Sequence, residues 1–467
     1  MKYDKIINEG LLDKAKLDLN RTLSTYSGDG IKPLDPGLQE LLVHFDKGLS
    51  GALPAKYYLS SIDPGIGKTE SYCSFIKIWK EMGFTPAGSI LVAVQTMEEI
   101  RSIVGRCGLG EQDYACLTSD GTINERGRGQ KRIDGARVVF TTQSMIRSRT
   151  AGKLFANAKD FHYLGGPRTL RIWDEGFQLA EAVTVSLHDL TVLSPSMRST
   201  SPDLFAALDA LAAQMIGGAA GDCIAIPGKI ANLASAAKLP NETDQNTVTK
   251  LASVAGTSMT LRTVGGTLGR VLVGASAALP ADFAPAVILD ASGRVRGTYK
   301  AQEAGIDNLV RLTPSVRDYA NVRVHVCKTP AGKDRLKDYE YRKELYRAAA
   351  KVIDSKPHDE WLIISYKSGG FWNIEDELKG YVAAPGNIRF RNWGRHHGTN
   401  EYRNIKNILI LGSHHYGADG YHALELAASG LSADEFGSPS KGLQPMNCAT
   451  TYFRLVCVAM HGVGSAE

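Results

Sequence analysis

At 467 residues, 43% hydrophobic and 22% charged, the chain has room for two or three domains with ordinary globular cores. A net charge of +5 and a pI near 8.6 permit a polyanionic partner without requiring one. Seven scattered cysteines with no CxxC pair exclude a disulfide frame or zinc site; the opening Met1-Lys2-Tyr3-Asp4-Lys5 leads into no apolar signal segment. The most apolar stretch, 251–279, is interrupted by Arg262 and Arg270, so no membrane span and a cytoplasmic location are expected.

Residues 1–50 read as a helical segment, with apolar positions at helical spacing across Leu38, Leu41, Leu42 and Phe45. From about residue 55, short apolar runs alternate with helix-like pieces. Strands are predicted at 57–62, 89–94, 137–141 and 170–173, with helices over 69–82 and 96–105 between the earlier ones. This alternation predicts a parallel sheet covered on both faces. Residues 178–280, rich in Ala, Leu, Ser and Gly, offer few strand candidates and predict a mostly helical insertion. The strand pattern returns at 286–290. A second series follows from about residue 320: a strand at 322–326, a charged helix over 335–354, and strands at 361–365, 388–390 and 407–411. The expected division is an N-terminal helical segment (1–50), a first α/β domain (51–177 with 281–318), the insertion (178–280) and a second α/β domain (319–467).

The order strand, glycine-rich turn, Lys-Thr, helix runs from Tyr57 to Glu81. A triphosphate needs converging backbone N–H groups, and glycines let the backbone approach it. Asp63, Pro64, Gly65, Ile66, Gly67, Lys68 and Thr69 are therefore the candidate nucleotide-binding loop. Lys68 would neutralise the β- and γ-phosphates, and the Thr69 hydroxyl would hold Mg²⁺. The first glycine of the long GxxxxGK[ST] pattern is replaced by Ile62. About a hundred residues on, Asp174 and Glu175 end an apolar strand, where an acidic pair can orient the metal (Asp174) and polarise water (Glu175). The alternative for such a pair is a helix cap with a first-turn acid.

Other features are read more blandly. His396, His397, His414, His415 and His422 lack accompanying metal-ligand spacing and read as cleft or surface histidines. The basic run from Arg126 to Arg132 is either a phosphate contact or a solvated loop, and Trp393 is either a stacking platform or a core residue.

Taken together, these elements resemble the superfamily 1 and 2 helicases, particularly DEAD/DEAH-type proteins of phages and mobile elements. Pro64 to Thr69 looks like motif I and Asp174-Glu175-Gly176-Phe177 like motif II. Val94-Gln95-Thr96 is similar to motif Ia and Phe140-Thr141-Thr142-Gln143-Ser144 to motif Ib; Leu289-Asp290-Ala291-Ser292 resembles motif III. Ile363-Ile364-Ser365-Tyr366 looks like motif IV, and the segment from Trp393 through Gly398, Thr399 and Asn400 like motif V. The likeness spans about residues 55–425. It implies two RecA-like P-loop NTPase domains with parallel sheets and a helical insertion in the first, ATP and Mg²⁺ as cofactors, and Lys68 and Glu175 as catalytic residues. It further implies nucleic-acid contacts at Thr96, Thr141, Thr142, Gln143, Gly398, Thr399 and Asn400, with single-stranded DNA or a duplex junction as partner and replication or recombination proteins as associates. For the Ia and Ib hydroxyls, capping the following helix is the alternative. The pattern departs from the family at the tail: no Arg or Lys follows Arg454, where motif VI arginines are expected, so the arginine finger would fall to Arg454 or Arg395, or be missing.

Three functions stay open on the sequence: a helicase or translocase, a phage packaging-type ATPase, and a degenerate helicase that clamps ATP and DNA without efficient turnover.

Overall fold

The computed structural model describes the chain apart from residues 1, 28–31, 85–87, 194, 240, 265–268, 306–307, 329–331, 334, 368–372, 394–400, 403, 413–417, 430–453 and 461–467. It divides into two compact units, Met1–Arg317 with Ala418–Pro439, and Asp318–Gly417 with Ser440–Glu467.

Two helices open the first unit, α1 (Lys2–Ser27) and α2 (Pro36–Leu49). α2 begins where the Asp35 carboxylate accepts from the N–H groups of Gly37 (2.8 Å) and Leu38 (3.3 Å), and Pro36 sits where a missing N–H costs nothing. Its buried Leu38, Leu41, Leu42, Phe45 and Leu49 recur at helical spacing and form a single face against the core.

The α/β series follows as β1 (Tyr57–Ser60), α3 (Lys68–Glu81), β2 (Ile90–Val94), α4 (Met97–Arg106), β3 (Tyr114–Leu117), β4 (Val138–Thr142), α5 (Gln143–Thr150) and β5 (Leu170–Asp174). The insertion then supplies β6 (Ala180–Ser186), α6 (Pro202–Gly217), β7 (Cys223–Ala225), α7 (Lys229–Ala236), α8 (Glu242–Ser253), β8 (Ser258–Val264) and β9 (Gly269–Ala277). The chain returns to the main sheet with β10 (Ala286–Leu289), α9 (Gly297–Gly305) and β11 (Leu309–Arg311).

The main sheet has seven strands in the order β11-β1-β10-β5-β2-β4-β3, with every pairing parallel. Alternate strand residues face opposite sides, so each strand feeds two cores. Ile90, Val92, Phe140, Ile172 and Val287 pack with the α1–α4 residues on one side. Leu91, Ala93, Val139, Trp173 and Ile288 pack with Phe155, Phe161, Phe283 and Tyr299 on the other. Strands buried on both faces read as continuous apolar runs, which is why the sequence located β1, β2, β4, β5 and β10; β3 and β11 were not among the strands expected.

The insertion holds more helix than strand, but it also carries a sheet that was not expected. Its four strands form an antiparallel sheet in the order β6-β9-β8-β7. One face packs Val183, Val185, Met259, Leu261 and Leu272 against Leu204, Leu208 and Leu211 of α6 and Leu251 of α8. On the other, Val271 and Val273 meet Ala423 and Leu426 of a helix at Ala418–Ser429, which reaches back from the second half of the chain. Runs such as Ser258-Met259-Thr260-Leu261-Arg262 alternate small, polar and apolar residues, so their burial depends on partners distant in sequence.

The second unit contains β12 (Val322–Lys328), α10 (Tyr339–Asp354), β13 (Trp361–Ser365), α11 (Ile374–Lys379), β14 (Ile388–Asn392), β15 (Asn407–Leu411) and β16 (Arg454–Met460); the returning helix at 418–429 is α12. The sheet order is β12-β16-β15-β13-β14. β13 pairs parallel with β14 and β15, but β16 is antiparallel to both β15 and β12, so this sheet is mixed and not parallel as expected. An apolar run reads the same whichever way its strand points, and only the pairing sets direction. Among the described residues no helix is long and apolar enough to cross a membrane.

Candidate functional site

Loops at the carboxyl ends of parallel strands are where open α/β sheets take ligands. Here β10 lies between β1 and β5, with Ser60 opposite Leu289 and Leu289 opposite Asp174. That order brings the β1–α3 loop, Asp290 and the Asp174-Glu175 pair to one end of the sheet.

The loop turns through two left-handed glycines, Gly65 (φ +74°) and Gly67 (φ +128°). A Cβ on Gly67 would stand 2.9 Å from a Leu23 methyl of α1, and it is the positive φ that makes this position strained for any other residue. Asp63 is buried, and its carboxylate receives the Arg294 guanidinium and the Arg317 backbone N–H (2.9 Å). The Arg317 guanidinium in turn donates to the Gly65 carbonyl at 3.1 Å. Asp63 thus holds the base of the loop.

Lys68 opens α3 and is buried, its ammonium donating to the carbonyls of Ile62 (2.5 Å) and Asp63 (3.4 Å). Burial lowers its pKa against the opposing pull of Glu175, Asp174, Asp290 and Asp63. One residue on, the Thr69 hydroxyl lies 3.4 Å from Asp174 Oδ2, to which Tyr72 donates from the same helix face at 2.9 Å. Burial, then repulsion from Glu175, raises the Asp174 pKa to about 6, although Tyr72, Lys68 and Thr69 all favour the ionised form.

Glu175 adopts a left-handed backbone (φ +63°) and Gly176 follows at φ +59°. For a non-glycine residue that conformation is uncommon and needs support from its surroundings. The Glu175 N–H donates to the Leu289 carbonyl at 2.9 Å. The Gln143 side-chain amide donates to the carbonyls of Asp174 (2.8 Å) and Glu175 (2.6 Å). Asp290 differs from its neighbours: hydrogen bonds from Ser292 and Tyr299 and the Arg296 charge outweigh burial, the largest single influence, and keep its pKa low.

A divalent cation with phosphates fits this donor set. Acidic side chains outnumber the single buried ammonium, and Asp174 is a desolvated carboxylate without a full counter-charge. Among the described residues no group of three or more His, Cys, Asp or Glu forms a cage of its own. A hydroxyl and one carboxylate suit Mg²⁺, which keeps waters and shares phosphate oxygens.

The described residues expected to touch nucleic acid make hydrogen bonds within the fold. Thr96 caps α4 in a capping box: its hydroxyl accepts from the Glu99 N–H (3.3 Å), and Glu99 accepts from the N–H groups of Thr96 (3.2 Å) and Gln95 (3.1 Å). Burial pushes the Glu99 pKa up to about 7, with Asp174 and Glu175 adding repulsion. The Thr141 hydroxyl is fully buried and donates to the Leu117 carbonyl at 2.7 Å. Thr142 caps α5 through the Met145 N–H (3.3 Å). Thr96 and Thr142 make the helix caps given as the alternative, Thr141 instead bonds within the core, and Gln143 points into the Asp174-Glu175 turn. Gly398, Thr399 and Asn400 lie outside the described residues, as do Arg395 and every singled-out histidine except His422, which is buried on α12. Trp393 is partly buried against the Leu362 and Ile364 cluster.

Sequence reasoning passed over Tyr72, Glu99, Arg294 and Arg317. Tyr72 was visible as the residue three after Thr69 on one helix face, and Glu99 as the fourth member of a capping box. The two arginines arrive from more than two hundred residues away with no local signal.

No protein-family model and no curated protein matches the sequence. Among solved structures, one described as XPD_APO aligns over 82% of this chain and 86% of its own, with 13% identity and a TM-score of 0.40. The crystal structure of T4 UvsW aligns over 76% of this chain and 51% of its own, with 8% identity and a TM-score of 0.25. At these scores the likeness by itself fixes neither fold nor function.

Proposed function

We propose that this chain is a helicase-like P-loop ATPase that binds ATP with Mg²⁺ at the β1–α3 loop and couples its hydrolysis to work on nucleic acid. The observation that carries the reading is the meeting of Thr69 and Tyr72 with Asp174, at 3.4 and 2.9 Å, beside the buried Lys68. Two motifs about a hundred residues apart converge on one carboxylate at the carboxyl ends of parallel strands.

Bound Mg²⁺ would supply charge neutralisation for the β- and γ-phosphates, with Thr69 and Asp174 as its protein ligands. Lys68 leaves the Ile62 and Asp63 carbonyls and presents its ammonium to the phosphates. Loop N–H groups around Gly65 and Gly67 bind phosphate oxygens. Glu175, fixed at the turn after β5, accepts the proton of the attacking water. The nucleic-acid partner rests on the motif order and the mildly basic charge, with single-stranded DNA or a duplex junction as the substrate class.

Steady-state ATP turnover with and without single-stranded DNA tests the reading in wild type, Lys68→Ala and Glu175→Gln. DNA-stimulated turnover that falls roughly a hundred-fold or more in both variants is the expected result. Tight ATP binding with no turnover would replace the motor with a clamp. Absence of nucleotide binding in wild type would overturn the proposal.

A further inference from the structure

The geometry points to Gln143 as the positioning residue that holds the Asp174-Glu175 turn in its working shape, and not as a ligand of nucleic acid. This rests on the ATPase reading above.

Gln143 is the first residue of α5, directly after the Thr142 cap, and its side chain is buried. Its amide nitrogen donates to two consecutive carbonyls, Asp174 at 2.8 Å and Glu175 at 2.6 Å. Both acceptors are backbone carbonyls, so only the NH₂ end of the amide can face them, and the orientation of the side chain is determined. Ordinary strand geometry would carry the chain past Asp174 with its carbonyls alternating. Instead the backbone turns left-handed at Glu175 (φ +63°) and again at Gly176 (φ +59°).

A left-handed glutamate costs of order 1 kcal/mol and persists only where neighbours enforce it. Three hydrogen bonds do so: one from the Glu175 N–H to the Leu289 carbonyl of β10, and two from the Gln143 amide of α5 to the Asp174 and Glu175 carbonyls. The Gln95 side chain lies beside the turn, its Nε2 2.7 Å from where a Cβ on Gly176 would stand. The consequence is chemical. The direction in which the Glu175 carboxylate leaves the backbone is set by this turn, and proton transfer to a base depends steeply on its placement. Phosphate binding draws on Lys68, the glycine loop and a metal held by the Thr69 and Asp174 side chains, whereas the bonds from Gln143 go to backbone carbonyls of the turn, and the Asp174 side chain has its own hydrogen bonds to Thr69 and Tyr72. Gln143 therefore governs the rate of the chemical step with little effect on nucleotide affinity.

The test uses the full chain as Gln143→Met, which keeps the length of the side chain and removes the donor, and as Gln143→Glu. For Gln143→Met we expect kcat to fall at least ten-fold, while the Kd for ATP with Mg²⁺, read by calorimetry in Glu175→Gln and Glu175→Gln/Gln143→Met, changes less than three-fold. In Gln143→Glu an ionised carboxylate faces two carbonyls, whereas its protonated form can donate to one. The ratio of its kcat to that of wild type should therefore rise as pH is lowered from 8 to 6. A role in folding alone would lower the melting temperature and both kinetic parameters together and give no such pH rescue. Wild-type turnover lost in Lys68→Ala establishes the ATPase reading independently. Given that turnover, a Gln143→Met enzyme with wild-type kcat, or an equal loss in kcat and affinity, overturns the inference. A wild type without turnover removes its premise.

Discussion

The two ends of β5 treat buried charge in opposite ways. At the amino-terminal end, Arg168 is fully buried, and its guanidinium donates to the carbonyls of Ala136 (2.7 Å), Ile133 (2.8 Å), Arg137 (3.1 Å) and His162 (3.1 Å). Arg171 donates to Phe283 (2.5 Å) and Ala284 (3.0 Å) and lies 4.5 Å from the centre of the Phe155 ring. Burial pulls their pKa values down to about 9 and about 10, so both stay charged at neutral pH, and in each the buried Nε is left without a hydrogen-bond partner. At the carboxyl end, Asp174 is partly buried, with a hydroxyl and a phenol as hydrogen-bond partners and the Lys68 charge nearby. On the proposed reading, the structural charges are held by fixed dipoles, whereas Asp174 is left short of compensation that an incoming cation would supply.

Replacing Arg168 gives the largest expected effect on stability. Arg168→Met strands the Ala136 and His162 carbonyls at about 1–3 kcal/mol each, so chemical denaturation should show a loss of about 3–5 kcal/mol. A loss below about 1 kcal/mol would show that the wrapped guanidinium is not structural and would erase the contrast.

Asp174→Asn should act in the opposite direction. The folded-state pKa near 6 lies above the unfolded value of about 3.9, so the native protein binds the additional proton between these values. The stability tied to that proton is present below about pH 4 and is lost as pH rises through about 6. Without metal, Asp174→Asn should therefore be more stable than wild type by about 2–3 kcal/mol at pH 7.5, and the gap should close by pH 4. Thermal melts across that range check it, and a destabilised variant at pH 7.5 would show that Asp174 is fully compensated within the fold. The smallest effect is at the α4 cap. Thr96→Ala should cost about 1 kcal/mol of stability, as for other N-caps. If it lowered polynucleotide affinity while leaving stability intact, Thr96 would belong with the binding charges after all.

Much of the site was legible in the residues. The glycine loop, Lys68, Thr69 and the Asp174-Glu175 pair sit at strand ends that the apolar runs marked. The nucleic-acid assignments at Thr96, Thr141 and Thr142 rested on the same strand-end logic, and there it selected helix caps and a core hydroxyl. A strand end always needs its next helix capped, so position alone does not separate the two roles.

Sequence by itself determined the local features: the turns that require glycine, the caps of α2 and α4, and the apolar runs of five strands in the seven-stranded sheet. Each depends on neighbours within a few residues, where period and side-chain chemistry are enough. Tertiary structure decided the rest. It paired β6 to β9 into an antiparallel sheet, brought α12 back onto it, set β16 antiparallel and laid β10 between β1 and β5. It also turned Gln143 toward Glu175. Those outcomes depend on which distant surface completes a buried face or a hydrogen bond, and no window along the chain contains that partner.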